Sequence, residues 1–301
     1  MATLDQAILH LKKVFRCHDR LKVHEQAAPI LRDMSELKIL FEIIQKNVTS
    51  PPFLLKERIN PVIAFPIEEN PSFSLIAHVW FPLPDGNTEL THQSIHHHGL
   101  LLLTSVAAWG EGYESILFKK NFSVDPETDR ASMDVEAMFQ HRLHEIRFVD
   151  VYQPHVVFYP KDLCVTYALW SYDRPRRLID GLKSKAWFQK MKKPLGTMIQ
   201  KFHLSKSVGL NVKKDLDFYV QGGNLYRLKE RIEYPKGTQL NFLKNLFYFL
   251  QRIGYSGPIH GKPMARNQPI QSEFERCHLN IPKVQLHKKE ILNCKNIKFS
   301  Y

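Results

Sequence analysis

Two kinds of hydrophobic pattern divide the first 175 residues of the chain. In residues 3–47 apolar side chains recur at helical spacing, at Leu4, Ile8, Leu11 and Phe15 and again at Leu37, Phe41 and Ile44. Thr3 followed by Gln6 has the spacing of a capping box at a helix start. The pattern predicts helices over this segment, ending before the Pro51-Pro52 break.

From about Arg58 to Tyr172 the pattern changes to short β-rich runs separated by Pro, Gly, Asn and Asp turns. The predicted strands are Phe73–Phe81, Gly99–Ala108, Tyr113–Phe118, Glu145–Val151, His155–Tyr159 and Leu163–Ser171. Several short strands without long helices between them indicate an antiparallel sandwich or barrel. We expect residues 126–144 to form a short helical insertion.

Beyond Pro175 the chain is rich in lysine, and its clearest element is a helix over Leu240–Tyr255 with one apolar stripe. We expect this stripe to pack against the barrel or the N-terminal helices, with a membrane surface as the alternative. The chain thus divides into a helical N-terminal segment, a β barrel, and a mixed, basic C-terminal extension. The predicted boundaries of these three parts are 1–50, 51–175 and 176–301.

Charge is distributed unevenly between these parts. The chain carries a net charge of +12, yet residues 1–175 hold 17 Lys and Arg against 22 Asp and Glu, whereas residues 176–301 hold 25 against 8. So basic a segment is either a solvated face or a surface for an anionic partner. The candidate partners are an acidic protein, such as an acyl carrier protein, and an anionic membrane surface. Nucleic acid is less favoured, because no base-reading motif accompanies the charge.

Composition excludes several classes of protein. With 44% hydrophobic and 24% charged residues the chain is globular rather than disordered or fibrous. No apolar run approaches the roughly 18–20 residues of a membrane span, and the first residues lack the features of a signal peptide. Four scattered cysteines without a CxxC pair indicate a reducing cytoplasm rather than a disulfide framework. Zincin, phosphate-loop and GxSxG motifs are absent from the sequence.

The strongest chemical signal is a cluster of histidines, since five of the fifteen fall between residues 78 and 98. On a strand, alternate side chains face the same way. We therefore expect His96 and His98 to point together into a barrel and His97 to point outward. An HxH pair with a third imidazole from a distant strand can hold a metal, and His155 is the natural third ligand. The alternative is that the histidine run is a solvated turn.

Three neutral imidazoles leave coordination positions open on Fe(II), where a substrate and dioxygen can bind side by side. Imidazole ligation does not choose among Fe, Ni, Mn and Zn, so isomerase or hydrolytic chemistry with another metal stays open. His141 and His144 form a weaker metal pair, for which we favour a solvated helix end. His78 and His92 are interpreted as packed or surface histidines, with a supporting role around the metal as the alternative.

The segment Ser94-Ile95-His96-His97-His98, followed by Gly110 and Glu114-Ser115-Ile116-Leu117-Phe118, resembles the first cupin motif of thiol dioxygenases of the cysteine dioxygenase type. In that family S-I-H-x-H is followed, at the same spacings, by a Gly and E-[ST]-L-F. The histidine of the second motif corresponds to His155. The tyrosine that the family places seventeen residues later corresponds to Tyr172.

The resemblance, which covers roughly residues 58–175, implies a cupin barrel (a double-stranded β-helix or jelly roll) with mononuclear Fe(II). It assigns the iron to His96, His98 and His155. The implied activity is that of a non-haem dioxygenase that binds a thiol and dioxygen at the iron and adds both oxygen atoms to sulfur. The family arginine that pairs with the substrate carboxylate corresponds best to Arg58.

Two departures from the family change the substrate that we expect. Leu103 stands where the family has a cysteine that crosslinks to the tyrosine, and the family's Ser-His-Tyr relay reads Ala168, Trp170, Tyr172. Loss of the relay removes hydrogen bonds that orient the Tyr172 hydroxyl, and Trp170 makes the pocket more apolar. We therefore expect a substrate larger or more apolar than cysteine, with Trp170 and Leu103 in the pocket and Tyr172 hydrogen-bonded to substrate or oxygen.

A second interpretation belongs to a different functional class. The chain would then be a cupin-fold binding or effector protein, with a structural metal or none, that acts through its basic C-terminal extension.

Overall fold

The computed structural model describes the N-terminal segment, most of the barrel and parts of the C-terminal extension. The described residues are 3–55, 62–83, 86, 88–89, 91–92, 96–125, 130–173, 218–221, 224–227, 239–259 and 292–293. The helices are α1 (Leu4–Val14), α2 (Arg20–Met34), α3 (Leu37–Val48), α4 (Pro51–Leu54) and α5 (Gln239–Arg252). The strands are β1 (Val62–Glu69), β2 (Ser74–Trp80), β3 (Leu101–Trp109), β4 (Glu114–Asp125), β5 (Arg130–Gln140), β6 (Ile146–Val149), β7 (His155–Val157), β8 (Cys164–Tyr172), β9 (Phe218–Gln221), β10 (Asn224–Arg227) and β11 (Leu292–Asn293).

The N-terminal helices begin where the sequence predicts. Thr3 accepts a hydrogen bond from the backbone of Gln6 at 3.3 Å, and the Gln6 side chain accepts one from the backbone of Thr3 at 2.9 Å. This reciprocal pair satisfies two N–H groups that a helix start leaves open. Asp19 caps α2 in the same way, through a 3.1 Å bond from the backbone of Lys22.

The strand order identifies the barrel. One sheet runs β1-β2-β8-β3-β6 and a second runs β5-β4-β7, with every pair antiparallel. Two bridges, Thr91 with Phe158 and His96 with His155, place the 91–96 segment beside β7 as a fourth position. Counted from β2 with this segment second, the two sheets read 1-8-3-6 and 5-4-7-2. This is the order of a jelly roll with two Greek keys, and the predicted cupin-type barrel is confirmed.

Each strand of the larger sheet contributes to two different environments. On β8, Val165, Tyr167 and Leu169 lie in one hydrophobic core with the helices, whereas Thr166, Ala168 and Trp170 line the inside of the barrel. The alternation follows from the two-residue period of a strand. The sheet is therefore covered by helices on its outer face and encloses a cavity with its inner face.

Helix α5 joins the same core. Phe242, Leu246, Phe249 and Leu250 are buried there with residues of α1–α3, and the Phe249 ring lies 5.9 Å from that of Phe65 on β1. The predicted packing of this helix on the barrel and the N-terminal helices is thus confirmed. Among the helices that the structure describes, none is long and apolar enough to cross a membrane.

Two features differ from the expectations. The helical insertion expected over residues 126–144 is wrong, because β5 occupies Arg130–Gln140 and pairs along its length with β4. Val135, Ala137 and Phe139 alternate there with Asp134 and Glu136, which is a strand period. The sequence analysis also missed β1, which is an edge strand with a register shift next to Pro66. The boundaries at 50 and 175 stay a prediction, since most of 176–301 lies outside the described residues.

A buried histidine ties α2 to the barrel. His24 is 2% exposed, and its Nδ1 lies 2.7 Å from Thr104 Oγ1 on β3 while its Nε2 lies 2.8 Å from Ser171 Oγ on β8. Burial, with a smaller contribution from the charge of Arg20, lowers the pKa of His24 to about 4. The imidazole is therefore neutral at pH 7 and uses one N–H and one lone pair to hold two neighbouring strands.

We expect His24 to make the free energy of unfolding depend on pH. Between its ordinary pKa near 6.5 and the folded value of about 4, the unfolded chain binds a proton that the native protein does not. Stability is therefore lost as the pH falls through this window, by up to about 3 kcal/mol for this group. In urea titrations at pH 7 and pH 4.5, His24→Gln should show a smaller loss than wild type. Equal losses in the two proteins would contradict the assignment.

Candidate metal centre

Three histidines from two distant parts of the chain converge on one point of the cavity wall. One ligand nitrogen from each of His96, His98 and His155 lies within 4.8 Å of the others. The His98 and His155 Nε2 atoms are 3.0 Å apart although the residues are 57 positions apart in the chain. The predicted third imidazole therefore lies beside the HxH pair, and this group can bind a metal ion.

The backbone explains why these side chains meet. His96 and His155 exchange both backbone hydrogen bonds, at 3.1 Å and 2.9 Å, so the two residues lie directly opposite each other. His98 follows two residues later in a turn closed by the Leu101 N–H on the His98 carbonyl, at 3.2 Å. The expected strand through residues 96–98 is wrong, because β3 begins only at Leu101. His97 lies outside the group and packs against the Tyr152 ring.

Two of the three imidazoles, those of His98 and His155, are held in the uncharged form that a metal ligand requires. Burial lowers the pKa of His98 to about 3 and that of His155 well below its ordinary value, and the neighbouring imidazoles act in the same direction. His155 Nδ1 faces the Gln153 carbonyl oxygen at 3.3 Å, which places the ring proton there and the lone pair on Nε2.

The spacing of the ring nitrogens is compatible with a shared metal ion. Two Nε2 atoms 3.0 Å apart need either a proton or a shared cation between their lone pairs. Ligands at about 2.1 Å from one metal ion and at a right angle to each other have about this separation. The chemistry of the donor set, which within the described residues consists of three imidazole nitrogens, suits Fe(II), Ni, Mn or Zn.

The cavity around this group has a volume of about 510 Å³. It is lined by Val62, His78, Trp80, His92, His96, His98, Leu103, Ser105, Tyr113, Ser115, Phe139, His141, Arg147, Val149, His155, Val157, Thr166, Ala168 and Trp170. Burial raises the pKa of the Tyr113 hydroxyl, so this group stays protonated. The walls thus combine hydrogen-bonding side chains with apolar surface, as in a small-molecule site.

The structure places the remaining predicted site residues in three different settings. Trp170 and Leu103 line the cavity, and the Trp170 ring packs at a right angle to that of His98, with centroids 4.3 Å apart. Tyr172 lies at the end of β8, 39% exposed, and is not among the lining residues. Arg58 lies outside the described residues.

Three histidines outside the metal group lie in the cavity wall, closer to the candidate site than the sequence predicts. His78, His92 and His141 also line the cavity, and burial lowers the pKa of His92 to about 3 and that of His141 to about 4. His78 carries a signal in the sequence, because it alternates with Ala77 and Val79, which face the helices. Its inward position follows once the apolar face is assigned to the helix side.

The solvated helix end expected at His141 and His144 is wrong, and so is the weaker alternative of a metal pair on one helix face. His141 follows the end of β5 and is buried in the cavity wall, whereas His144 has a φ of +62° and its Nδ1 lies 2.6 Å from Ser35 Oγ. The His141 ring therefore lines the cavity, whereas the His144 ring contacts Ser35 at the end of α2. Cys164 is fully buried in an apolar cluster, as expected for a small hydrophobic residue.

Comparison with known proteins gives matches in structure alone. No protein-family model and no curated protein matches the sequence. Similar solved structures include TT1209 from Thermus thermophilus, with 13% identity, a TM-score of 0.27 and coverage of 41% of this chain and 95% of that chain. The Schizosaccharomyces pombe Cnp3 cupin domain has 7% identity and a TM-score of 0.26, over 40% of this chain and 66% of that one. A double-stranded β-helix protein from Klebsiella pneumoniae has 8% identity and a TM-score of 0.26, over 42% and 90%.

These scores are low, and the fold assignment depends on the strand order rather than on them. The neighbours carry no conclusion about function.

Gly112 packs closely against the backbone of His141, a residue of the cavity wall. Gly112 has a φ of +79°, and a Cβ atom added there would lie 1.7 Å from the His141 carbonyl oxygen. We expect Gly112→Ala to lower the free energy of unfolding by roughly 3 kcal/mol or more, since backbone clash adds to the unfavourable φ. Gly86→Ala is the control, with φ +67° and nothing within 4 Å of the added atom. A similar loss in the two variants would show that the close approach is unimportant.

The metal site makes a stoichiometric prediction. Elemental analysis of purified protein should find about one metal ion per chain in wild type, and His96→Ala and His155→Ala should lose it because two imidazoles bind too weakly. His97→Ala should retain the metal, since that ring lies outside the group. Retention of metal in His155→Ala would place the ion elsewhere.

Proposed function

We propose that the protein is a non-haem Fe(II)-dependent dioxygenase acting on a thiol, or on another small-to-medium organic substrate that is larger or more apolar than cysteine. The observation that carries the proposal is the convergence of three imidazoles on the wall of a cavity of about 510 Å³. A volume of this size is typical of sites that enclose an organic ligand.

Iron held by His96, His98 and His155 would supply open positions at which the sulfur of a thiol and dioxygen bind side by side, so that both oxygen atoms add to sulfur as a sulfinate. The protein contributes orientation and exclusion of water. Hydrogen bonding of His155 to the Gln153 carbonyl fixes the direction of its lone pair.

The walls near the metal group favour an apolar substrate. Leu103, Val149 and Ala168 lie in one cluster with Trp170 packed against it, and the Trp170 ring also contacts His98. These side chains keep water from the reacting atoms and bind hydrocarbon. They also replace the polar relay that the resemblance would require, which supports a substrate different from free cysteine.

Tyr172 has a more distant role in this proposal. It follows Trp170 by two residues and so shares the inward side of β8, but it is 39% exposed at the strand end. We assign its hydroxyl to the outer part of a bound substrate rather than to the atoms at the metal. The role of Arg58 as a carboxylate partner stays a prediction from the resemblance.

One observation favours a second function, that of a binding or effector protein with a structural metal or none. Residues 176–301 hold 25 Lys and Arg against 8 Asp and Glu. In that case the extension binds an acidic protein or an anionic membrane surface, and affinity falls as salt is added. Cytoplasmic localisation stays a prediction from the cysteine pattern.

Oxygen uptake separates the two functions. Iron-loaded wild type should consume dioxygen with at least one member of a series of straight-chain alkyl thiols and yield a product heavier by two oxygen atoms. His155→Ala should consume none, and His97→Ala should match wild type, since only the first removes a ligand. Protein that holds one iron but shows no thiol-dependent uptake across the series would refute the proposed thiol chemistry.

A further inference from the structure

The ring of His155 is oriented by the turn that precedes it. Residues 150–154 connect β6 of the larger sheet to β7 of the smaller sheet. Near the end of this turn the Gln153 carbonyl oxygen faces His155 Nδ1 at 3.3 Å. A ring that binds a metal through Nε2 donates its other N–H to an acceptor, which sets the rotation of the ring. The position of this carbonyl therefore decides where the His155 lone pair points.

A buried side chain fixes the position of the carbonyl. Gln153 is 5% exposed, and its Nε2 donates to Glu136 Oε2 on β5 at 2.7 Å while its Oε1 accepts the Asp150 backbone N–H at 3.0 Å. The Gln153 backbone N–H also donates to the Asp150 carbonyl oxygen at 3.2 Å. One buried amide thus joins the start of the turn to its end and ties both to β5.

The turn needs such an anchor, because part of its backbone is strained. Tyr152, the residue before Gln153, has a φ of +55°, a conformation that residues with a Cβ atom rarely adopt. A strained residue keeps its conformation only where neighbouring contacts hold it. Two sets of hydrogen bonds supply these contacts, those of the Gln153 amide and that of the Tyr152 backbone N–H, which donates to the Gly99 carbonyl oxygen at 2.8 Å.

The backbone of His155 is held by different contacts. It exchanges two hydrogen bonds with the backbone of His96, and the Phe118 N–H donates to the Pro154 carbonyl oxygen at 2.9 Å. Neither set of bonds involves the Gln153 side chain. Loss of that side chain should therefore leave β7 paired while it frees the Gln153 carbonyl, and with it the His155 ring, to rotate. A role in metal binding is thus separable from a role in folding.

We propose that Gln153 is a positioning residue of the metal centre. Its side-chain amide, held by Glu136, keeps the Gln153 carbonyl on His155 Nδ1 and so keeps Nε2 directed at the metal ion. The inference rests on the metal site of the proposed function and not on the reaction that the metal supports.

The test measures the dissociation constant for Zn(II), by competition with a chromophoric chelator on the metal-free chain. Zn(II) binds imidazole nitrogens and has no redox chemistry of its own. Gln153→Leu is close in volume but lacks the amide, and it should raise the dissociation constant about tenfold. Glu136→Leu should have the same effect because the buried amide loses its acceptor. Since Glu136 is exposed, this variant also provides the test if Gln153→Leu does not fold.

Exchange of donor and acceptor provides a rescue. Gln153→Glu places two carboxylates together and should weaken Zn(II) binding at least as much as Gln153→Leu. Addition of Glu136→Gln should restore most of the affinity, since the amide on β5 then donates to the carboxylate in the turn. With Co(II) bound to saturation, the d–d absorption bands should change in Gln153→Leu and return in the double variant. These bands report ligand geometry, which a loss of stability alone does not change.

Gln140→Leu is the matched control. Gln140 is an exposed glutamine at the end of β5, and its Nε2 donates to the Glu111 carbonyl oxygen at 3.3 Å, away from the turn. This variant loses the same kind of hydrogen bond and should keep the wild-type affinity. Unchanged affinity and cobalt bands in the Gln153→Leu and Glu136→Leu variants, an equal loss in Gln140→Leu, or no rescue in the double variant would overturn the proposal.

Failure of this proposal is distinguishable from failure of the proposed function. Wild type that binds Zn(II) together with unaffected Gln153 variants leaves the metal centre in place and removes only the role of Gln153. Wild type that binds no Zn(II) overturns the metal centre and the proposed dioxygenase with it. The expected loss in Gln153→Leu, without thiol-dependent oxygen uptake by the iron-loaded wild type, supports the positioning role and counts against the dioxygenase.

Discussion

The two-residue period of the large sheet is the constraint on which the rest of the structure depends. Along β8, one set of side chains packs under the helices and the next set lines the cavity. Because helices cover one face and the other encloses the cavity, a change of register by one residue would bury Thr166 under the helices and place Tyr167 in the cavity. The register of β8 against β2 and β3 therefore fixes the outer core and the inner site together.

Desolvation is the second factor that shapes the site. His98 and His155 lose the hydration that stabilises their protonated forms, which lowers their pKa values. Repulsion between neighbouring imidazolium charges lowers these pKa values further. Burial therefore keeps these two imidazoles in the uncharged form that can donate a lone pair to a metal, and no separate base is needed to deprotonate them.

The sequence predicted an antiparallel sandwich or barrel and the three histidines of the candidate metal group, and for physical reasons. Turn residues and short β-rich runs predict a barrel, and the HxH spacing needs only two neighbouring imidazoles to be noticed. Residues 126–144 misled because Ala, Met, Glu and Gln are good helix formers, whereas pairing with β4 decides the outcome. Arg147 and His141 could not be placed, since their inward positions depend on which face of the barrel the chain encloses.

The His24 contact has a consequence for how the protein is divided. Thr104 and Ser171, its two partners, are the immediate chain neighbours of Leu103 and Trp170, which face the cavity. A fragment that starts at β1 would lose α2, leave both hydroxyls without their imidazole, and uncover the apolar outer side of the sheet. We therefore expect the barrel and the preceding helices to unfold together, and a stable fragment that contains the metal group to need α2.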